Sequence, residues 1–410
     1  MEPPLKEHRT KIGIIFLIVF IDLVGFGIVI PILPLYGERF GPSGLTLGLL
    51  MASYSAMQFL FAPILGRISD RVGRRPVLLV SLVGSVIGYL LFGFAGSMAV
   101  LFASRIIDGI SGGNIATAQA VIADITGPED RAKGMGIIGA AFGLGFIVGP
   151  AVAALLVDIQ PWLPGVAAAA TSTVAFLLVF FKLPETLPAE ARTASRQHPL
   201  SPASLRQTIG LHPLLVLCFA TVLLVIFAFS NFETTFAQFG RLVFQLSTSQ
   251  IGWLFVYAGV LGAVIQGGLT GALARRFGEG RLVAVGAFVS FVALGFLPYV
   301  RQQGWLLVTL ALLAVGHGIA APSLSALTSK LVTRDEVGGV MGIYQSLSSL
   351  GRIAGPFWGE LVYGLLGFEW PYRTGSVFML AASTVGVVLL IRLRRVGSAT
   401  AEKRVSADTA

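Results

Sequence analysis

A chain of 410 residues that is 55% hydrophobic and only 12% charged, with a mean hydropathy of +0.84, lies outside the range of soluble globular domains and reads as a membrane protein. The 50 glycines and 20 prolines suit closely packed, locally broken membrane helices, and the lone Cys218 excludes a disulfide framework. The formal charge of +9 sits in short loops between apolar stretches, with no basic run interleaved with aromatics, which argues against a nucleic-acid groove. The sequence carries no GxxxxGK[ST], HExxH or CxxC pattern, so neither ATP hydrolysis by this chain nor the usual zinc chemistry has its motif, and no metal or tightly bound cofactor is expected.

A helix crossing the hydrocarbon needs about 20 apolar residues, and twelve stretches of that kind follow one another. The first, 12–35, is preceded by eleven residues without a small-residue cleavage site, so it is expected to stay as a membrane helix; it holds Asp22. Spans 46–65 and 76–95 flank an arginine-rich loop. Span 99–124 holds Arg105 and Asp108, and spans 134–157 and 163–182 complete a first group of six. The hydrophilic break from Pro184 to His212 reads as a linker. Span 213–240 then carries Glu233, and spans 250–274 and 281–300 follow it. Span 304–329 carries His317, span 339–364 carries Arg352, and 371–392 closes the set. The expected organisation is therefore all-α with two six-helix halves, 1–183 and 213–395, joined by the linker 184–212 and followed by a tail, 396–410.

Lysine and arginine favour the cytoplasmic side. With the N-terminus inside, the cytoplasmic segments hold 23 of them and the opposite loops four, while Arg105 and Arg352 lie within spans. Both termini are expected in the cytoplasm. Trp162, Trp253, Trp305 and Trp370 then mark outer helix ends. Shifting one half by 206 residues places Met135–Pro150 on Met341–Pro356, sharing Met, Gly, Ile, Gly, Ile, Gly and Pro. Two related six-helix halves are an architecture of secondary transporters, with the substrate bound near the midplane.

The loop Gly66-Arg67-Ile68-Ser69-Asp70-Arg71-Val72-Gly73-Arg74-Arg75-Pro76 resembles the loop signature of the major facilitator superfamily, and Gly271 to Arg281 is a degraded copy with Arg275 in place of Asp70. A positive-inside loop accounts for the arginines alone. An acid among them beside helix ends can form a cytoplasmic latch. Within the superfamily the chain resembles the drug:proton antiporters of the tetracycline-efflux-like branch over nearly its whole length. Asp22-Leu-Val-Gly25-Phe-Gly27 with Pro31 and Pro34 carries that resemblance, as do Arg105-Ile-Ile-Asp108-Gly109, Ile122-Ala-Asp124-Ile-Thr126 and the run Gly139, Gly143, Gly145, Gly149, Pro150. It implies a cytoplasmic gate at Gly66, Asp70, Arg71, Gly73, Arg74, Arg75 and Asp124, and a bend in span five. The glycines equally suit static packing. Where that branch carries further polar residues in spans three, eight and nine, this chain has Gly88, Gly262 and Ser290, which argues against tetracycline itself as the substrate.

An ionisable residue inside a span is costly and marks function by default. Asp22 lies roughly 15 Å into span one, near the midplane, and is the first candidate for proton coupling; its alternative is a structural hydrogen-bonded carboxylate. Arg105 and Asp108 stand one turn apart on one face, as a coupling pair or as a permanent ion pair that makes burial tolerable. Glu233 is a candidate for proton entry or release, or an interfacial carboxylate. His317 and Arg352 could meet an anionic group on a substrate, and Phe26, Phe142, Phe146, Phe236, Tyr257, Gln266 and Gln345 are candidate walls for an amphipathic ligand.

The expected function is proton-coupled export of a lipophilic or amphipathic compound through alternating access, by a monomer in the inner (cell) membrane. Import of a metabolite with protons, and a membrane-embedded receptor or enzyme, remain the alternatives; no nucleophile and base are clustered in the sequence, which argues against an enzyme.

Overall fold

The structure is a computed structural model that describes residues 5–112, 114–125, 131–187, 213–332 and 337–408. Most of the 184–212 linker lies outside the described residues, as do the side chains of Gly139, Phe142 and the 396–410 tail. The described residues are predominantly helical and contain no strand.

In chain order the helices are α1 (Leu5–Val29), α2 (Leu33–Glu38), α3 (Gly44–Val72), α4 (Arg74–Gly93), α5 (Met98–Ser111), α6 (Asn114–Ile125), α7 (Arg131–Leu156), α8 (Leu163–Lys182), α9 (Pro213–Phe244) and α10 (Thr248–Val264). A π-helical turn (Ile265–Leu269) leads into α11 (Thr270–Phe277) and α12 (Glu279–Phe296). After a 3₁₀ turn come α13 (Gln303–Lys330), α14 (Val337–Leu366) and α15 (Trp370–Asp408). Among the described residues seven stretches are long and apolar enough to cross a membrane: Gly44–Val72, Arg74–Gly93, Leu163–Lys182, Pro213–Phe244, Glu279–Tyr299, Gln303–Lys330 and Trp370–Leu393. Gly13–Val29, Gly143–Leu156 and Thr248–Val264 are shorter apolar helices.

Among the described residues two expected spans, one and eight, are broken locally. Span one stops at Val29 and resumes as α2, because Pro31 has no N–H to continue the ladder and Pro34 suits the first turn of a new helix. Span four is described as α5 up to Ser111 and α6 from Asn114, and Gly113 between them lies outside the described residues. Span eight passes through the π turn, where the Thr270 hydroxyl donates to the Ile265 carbonyl (2.9 Å) and to the Gly318 carbonyl (3.1 Å). Pro150 and its repeat partner Pro356 both lie inside continuous helices, α7 and α14.

The chain forms two compact units. The first comprises Met1–Arg196, Glu233–Val260 and Pro356–Phe368. Within it α1 packs on α7 and α8, α4 on α5 and α8, and α3 on α5 and α6. Gly145 and Gly149 of α7 face α1 so closely that a Cβ at Gly149 would stand 2.6 Å from the Gly27 Cα, whereas Gly143 faces open space. Of the three described glycines of this run, two therefore lie against α1. Apolar clusters around Ile28, Leu50 and Phe92 and around Ile15, Leu82 and Val121 make this unit's core. The second unit comprises Gln197–Phe232, Leu261–Gly355 and Glu369–Ala410. In it α12 packs on α13 and α15, over a cluster that includes Leu215, Cys218, Val283, Leu327 and Leu389.

Candidate functional site

The first unit holds a charged centre that the helix spacing places on one face of α5. Arg105 and Asp108 are each 1% exposed, and the Arg105 Nη1 donates to the Asp108 Oδ2 at 3.1 Å. Asp108 also accepts a hydrogen bond from Ser85 of α4. The guanidinium lies 5.9 Å from the Tyr89 ring centroid and 5.4 Å from that of Phe92, so aromatic faces cover the cation where water would otherwise solvate it. Asp22 of α1 is half-buried and within electrostatic reach of both Asp108 and Tyr89. Two helices, α1 and α5, thus bring Asp22, Arg105 and Asp108 into one cluster, with Ser85 and Tyr89 of α4 beside it. Gly88 is what admits it, because a Cβ there would meet the Asp108 Cβ at 2.9 Å. Next to Asp22 along α1, Phe26 stacks obliquely on Tyr54 (4.8 Å) and edge-on to Phe146 (6.0 Å).

The arginine-rich loop is a tight turn between α3 and α4. Gly73 takes φ +110, which side-chain-bearing residues rarely adopt, and a Cβ on it would collide with Glu185. Arg74 is 6% exposed and is held from three sides: by Asp70 one turn earlier, by the Ser69 hydroxyl (2.8 Å) and, through its Nε, by Asp124 of α6 (2.9 Å). Glu185 accepts from the Arg74 and Arg75 backbone N–H groups at 2.9 and 3.2 Å. A carboxylate there satisfies the unpaired donors of the α4 N-terminus and suits its positive dipole end. Sequence reading misses Glu185, which lies 111 residues from the turn it caps. Arg75 reaches the Phe180 carbonyl (2.6 Å), Arg71 is exposed, and Gly66 faces open space. The second loop copy keeps the backbone feature, with Gly278 at φ +81 between α11 and α12.

Asp70 is half exposed, and an exposed ion pair contributes about 0.2–1 kcal/mol. Asp70→Asn is therefore expected to leave expression and thermal stability near wild type, since Asp124 and Ser69 still hold Arg74, while transport turnover falls severalfold. Initial-rate flux at matched protein levels measures this; unchanged turnover removes the loop from the transport cycle.

The remaining expected residues fall in both units. Phe236 is 1% exposed and packs edge-on to Phe255 (5.6 Å), while Glu233 and Tyr257 are half-buried. In the second unit His317 stacks on Phe229 with centroids 3.8 Å apart and 14° between planes. Arg352 donates to the Ser349 hydroxyl at 3.0 Å, and Gln266 and Gln345 are exposed. A second buried acid, Glu360 on α14, is absent from the sequence-based candidates although it is the lone acid in span 339–364. That isolation in an apolar stretch is the signal that could have found it.

A family model described as Major Facilitator Superfamily matches residues 15–356, and again 244–408. The chain is 32% identical to a tetracycline resistance protein, class D, of Salmonella ordonez, covering 93% of this chain and 95% of that protein. It is also 32% identical to human major facilitator superfamily domain-containing protein 10, over 92% and 93% of the two chains. The crystal structure of the human organic anion transporter MFSD10 (TETRAN) superposes with a TM-score of 0.70 at 28% identity, covering 94% of this chain and all of that one.

Proposed function

The chain belongs to the major facilitator superfamily of membrane transporters, and from that premise we propose that it exports a lipophilic or amphipathic compound in exchange for protons. The buried cluster of Asp22, Arg105 and Asp108 carries this reading. Two acids lie within electrostatic reach of one another, and one of them, Asp108, is buried in an ion pair with Arg105. Arg105 satisfies Asp108 while they are paired. A movement of α1, α4 or α5 that loosens the pair raises the demand for a proton at one of the acids, and closing the pair releases it. Asp22, half-buried on a different helix, is the acid whose surroundings can change without breaking the α5 pair, so it is assigned the transported proton. Glu233 is assigned entry or release.

Export by twelve spans in two halves, 1–183 and 213–395, is the organisation proposed, with both termini in the cytoplasm and the chain acting as a monomer in the cell membrane. The positive-inside distribution supports that orientation. The aromatic wall of Phe26, Tyr54 and Phe146 beside Asp22 suits an apolar body on the substrate. Gly88, Gly262 and Ser290, standing where the tetracycline-efflux branch is polar, favour a compound other than tetracycline.

A second reading concerns substrate charge. His317, stacked on Phe229, and Arg352 supply cationic or hydrogen-bonding partners for an acidic group, and a relative's structure is titled as an organic anion transporter. An amphipathic organic anion is accordingly the class to test beside neutral and cationic compounds.

The test is a panel of labelled amphipathic compounds of each charge, offered to everted membrane vesicles with an imposed proton gradient and a pH reporter. Antiport requires uptake that alkalinises the vesicle lumen and collapses with the gradient. Uptake that acidifies the lumen marks proton symport, and the absence of any transported solute leaves a non-transport role.

A further inference from the structure

At the end of α3 remote from the arginine-rich loop, α14 crosses α3 at backbone contact. A Cβ added at Gly44 would stand 2.6 Å from the Glu360 carbonyl oxygen, and one at Gly48 would stand 3.1 Å from the Glu360 Cβ. The seam brings a carboxyl group into this dry contact, for Glu360 is 1% exposed. Its Oε2 accepts from the Gln238 Nε2 of α9 at 3.2 Å, while its Oε1 has no hydrogen-bond partner. The Gln238 Oε1 is likewise buried and without a donor. Gln238 also bonds Glu38 of α2, whose carboxylate is 3.6 Å from Arg241 and partly exposed. The charged and titratable groups facing Glu360 are Glu38 from α2, Arg241 beyond Gln238 of α9, and Tyr363 on its own helix, while Gly44 and Gly48 of α3 lie against it.

We propose that Glu360 is a proton-binding latch at this crossing, neutral while α3 and α14 are packed and ionised only when they part. Two buried acceptors lack a donor, and among the described residues no cation touches either. One proton on Glu360 supplies the missing donor, because a carboxylic acid and a primary amide can pair head to head, each donating to the other's carbonyl oxygen. Ionised, the carboxylate has one donor and no counterion, and separation of the helices is what hydrates it. The line Glu38, Gln238, Glu360 runs from partly exposed to buried, so water reaches the latch from that side as the seam opens. The role of the membrane proton gradient here rests on the antiport reading, in which a proton taken up after substrate release permits this end to close; the latch itself does not.

The test uses the full chain in nanodiscs, with Cys218→Ser and spin labels at the exposed Leu45 of α3 and Leu365 of α14. A single linked proton changes the ratio of separated to packed populations by up to about tenfold per pH unit. The wild type should show separation growing as pH rises, with a logarithmic slope approaching one. Glu360→Gln keeps the head-to-head pairing without a titrating proton and should stay packed at every pH. Glu360→Ala removes the carboxyl and should also lose the slope. A wild type without pH dependence, or variants that keep its slope, overturns the latch. The readout needs no substrate, so the two readings fail separately. Missing proton-driven efflux with the slope intact refutes antiport alone, and intact efflux with a flat slope refutes the latch alone.

Discussion

Asp22→Asn is expected to abolish accumulation against a gradient while substrate still binds. Asn matches Asp in shape and cannot release a proton, so the packing of α1 on α7 and α8 survives and only titration is lost. Residual affinity should resemble that of the wild type in acid, since the variant mimics the protonated carboxyl. The sign follows from linkage. Where proton and substrate compete, wild-type affinity weakens as pH falls, by at most about tenfold per pH unit for one proton, and the variant's affinity should be flat over the same range. Binding and uphill flux measured across a pH series decide the matter. A variant that still accumulates substrate with the wild-type pH profile makes Asp22 structural and transfers coupling to Asp108 or Glu233.

The largest stability effect is expected at Arg105. Its side chain and that of Asp108 are both 2% exposed, so Arg105→Ala leaves a buried carboxylate with Ser85 as its remaining hydrogen-bond donor. Removing one partner of a buried ion pair costs about 3–5 kcal/mol, because the other charge stays buried without compensation. The yield of folded protein and its thermal midpoint in detergent should fall sharply. Asp108→Ala leaves the guanidinium with aromatic faces and the Ser104 hydroxyl (3.3 Å) and should fall by a similar amount. The double variant should lose less than the sum of the single losses, since neither charge remains. Additive losses would mean that the two residues act independently and would remove the ion-pair account of the cluster.

Much of the molecule is legible along the chain because hydropathy, proline and charge act locally. The apolar stretches identify a helical membrane protein, the Gly66–Pro76 loop and the glycine run identify the superfamily, and the three-residue spacing of Arg105 and Asp108 puts the pair on one helix face. Asp22 declares itself as a lone acid at depth. The break at Pro31 is also written in the sequence, but a 20-residue apolar window averages across it, so span one reads as unbroken.

What only the tertiary structure decides is which distant groups complete each charge. Glu185 caps α4 from 111 residues away, and Asp124 reaches Arg74 across 50. Glu360 meets Gln238 at a separation of 122, and the seam that buries it depends on glycines of α3 more than 300 positions earlier. Helical periodicity says which side chains share a face and nothing about which helix that face meets. Partner choice comes from backbone approach at small residues and from the requirement that buried polar atoms find donors, and both are properties of the packed molecule. The sequence therefore determines the superfamily and the charged residues that are costly to bury, and the packing determines which of those charges meet.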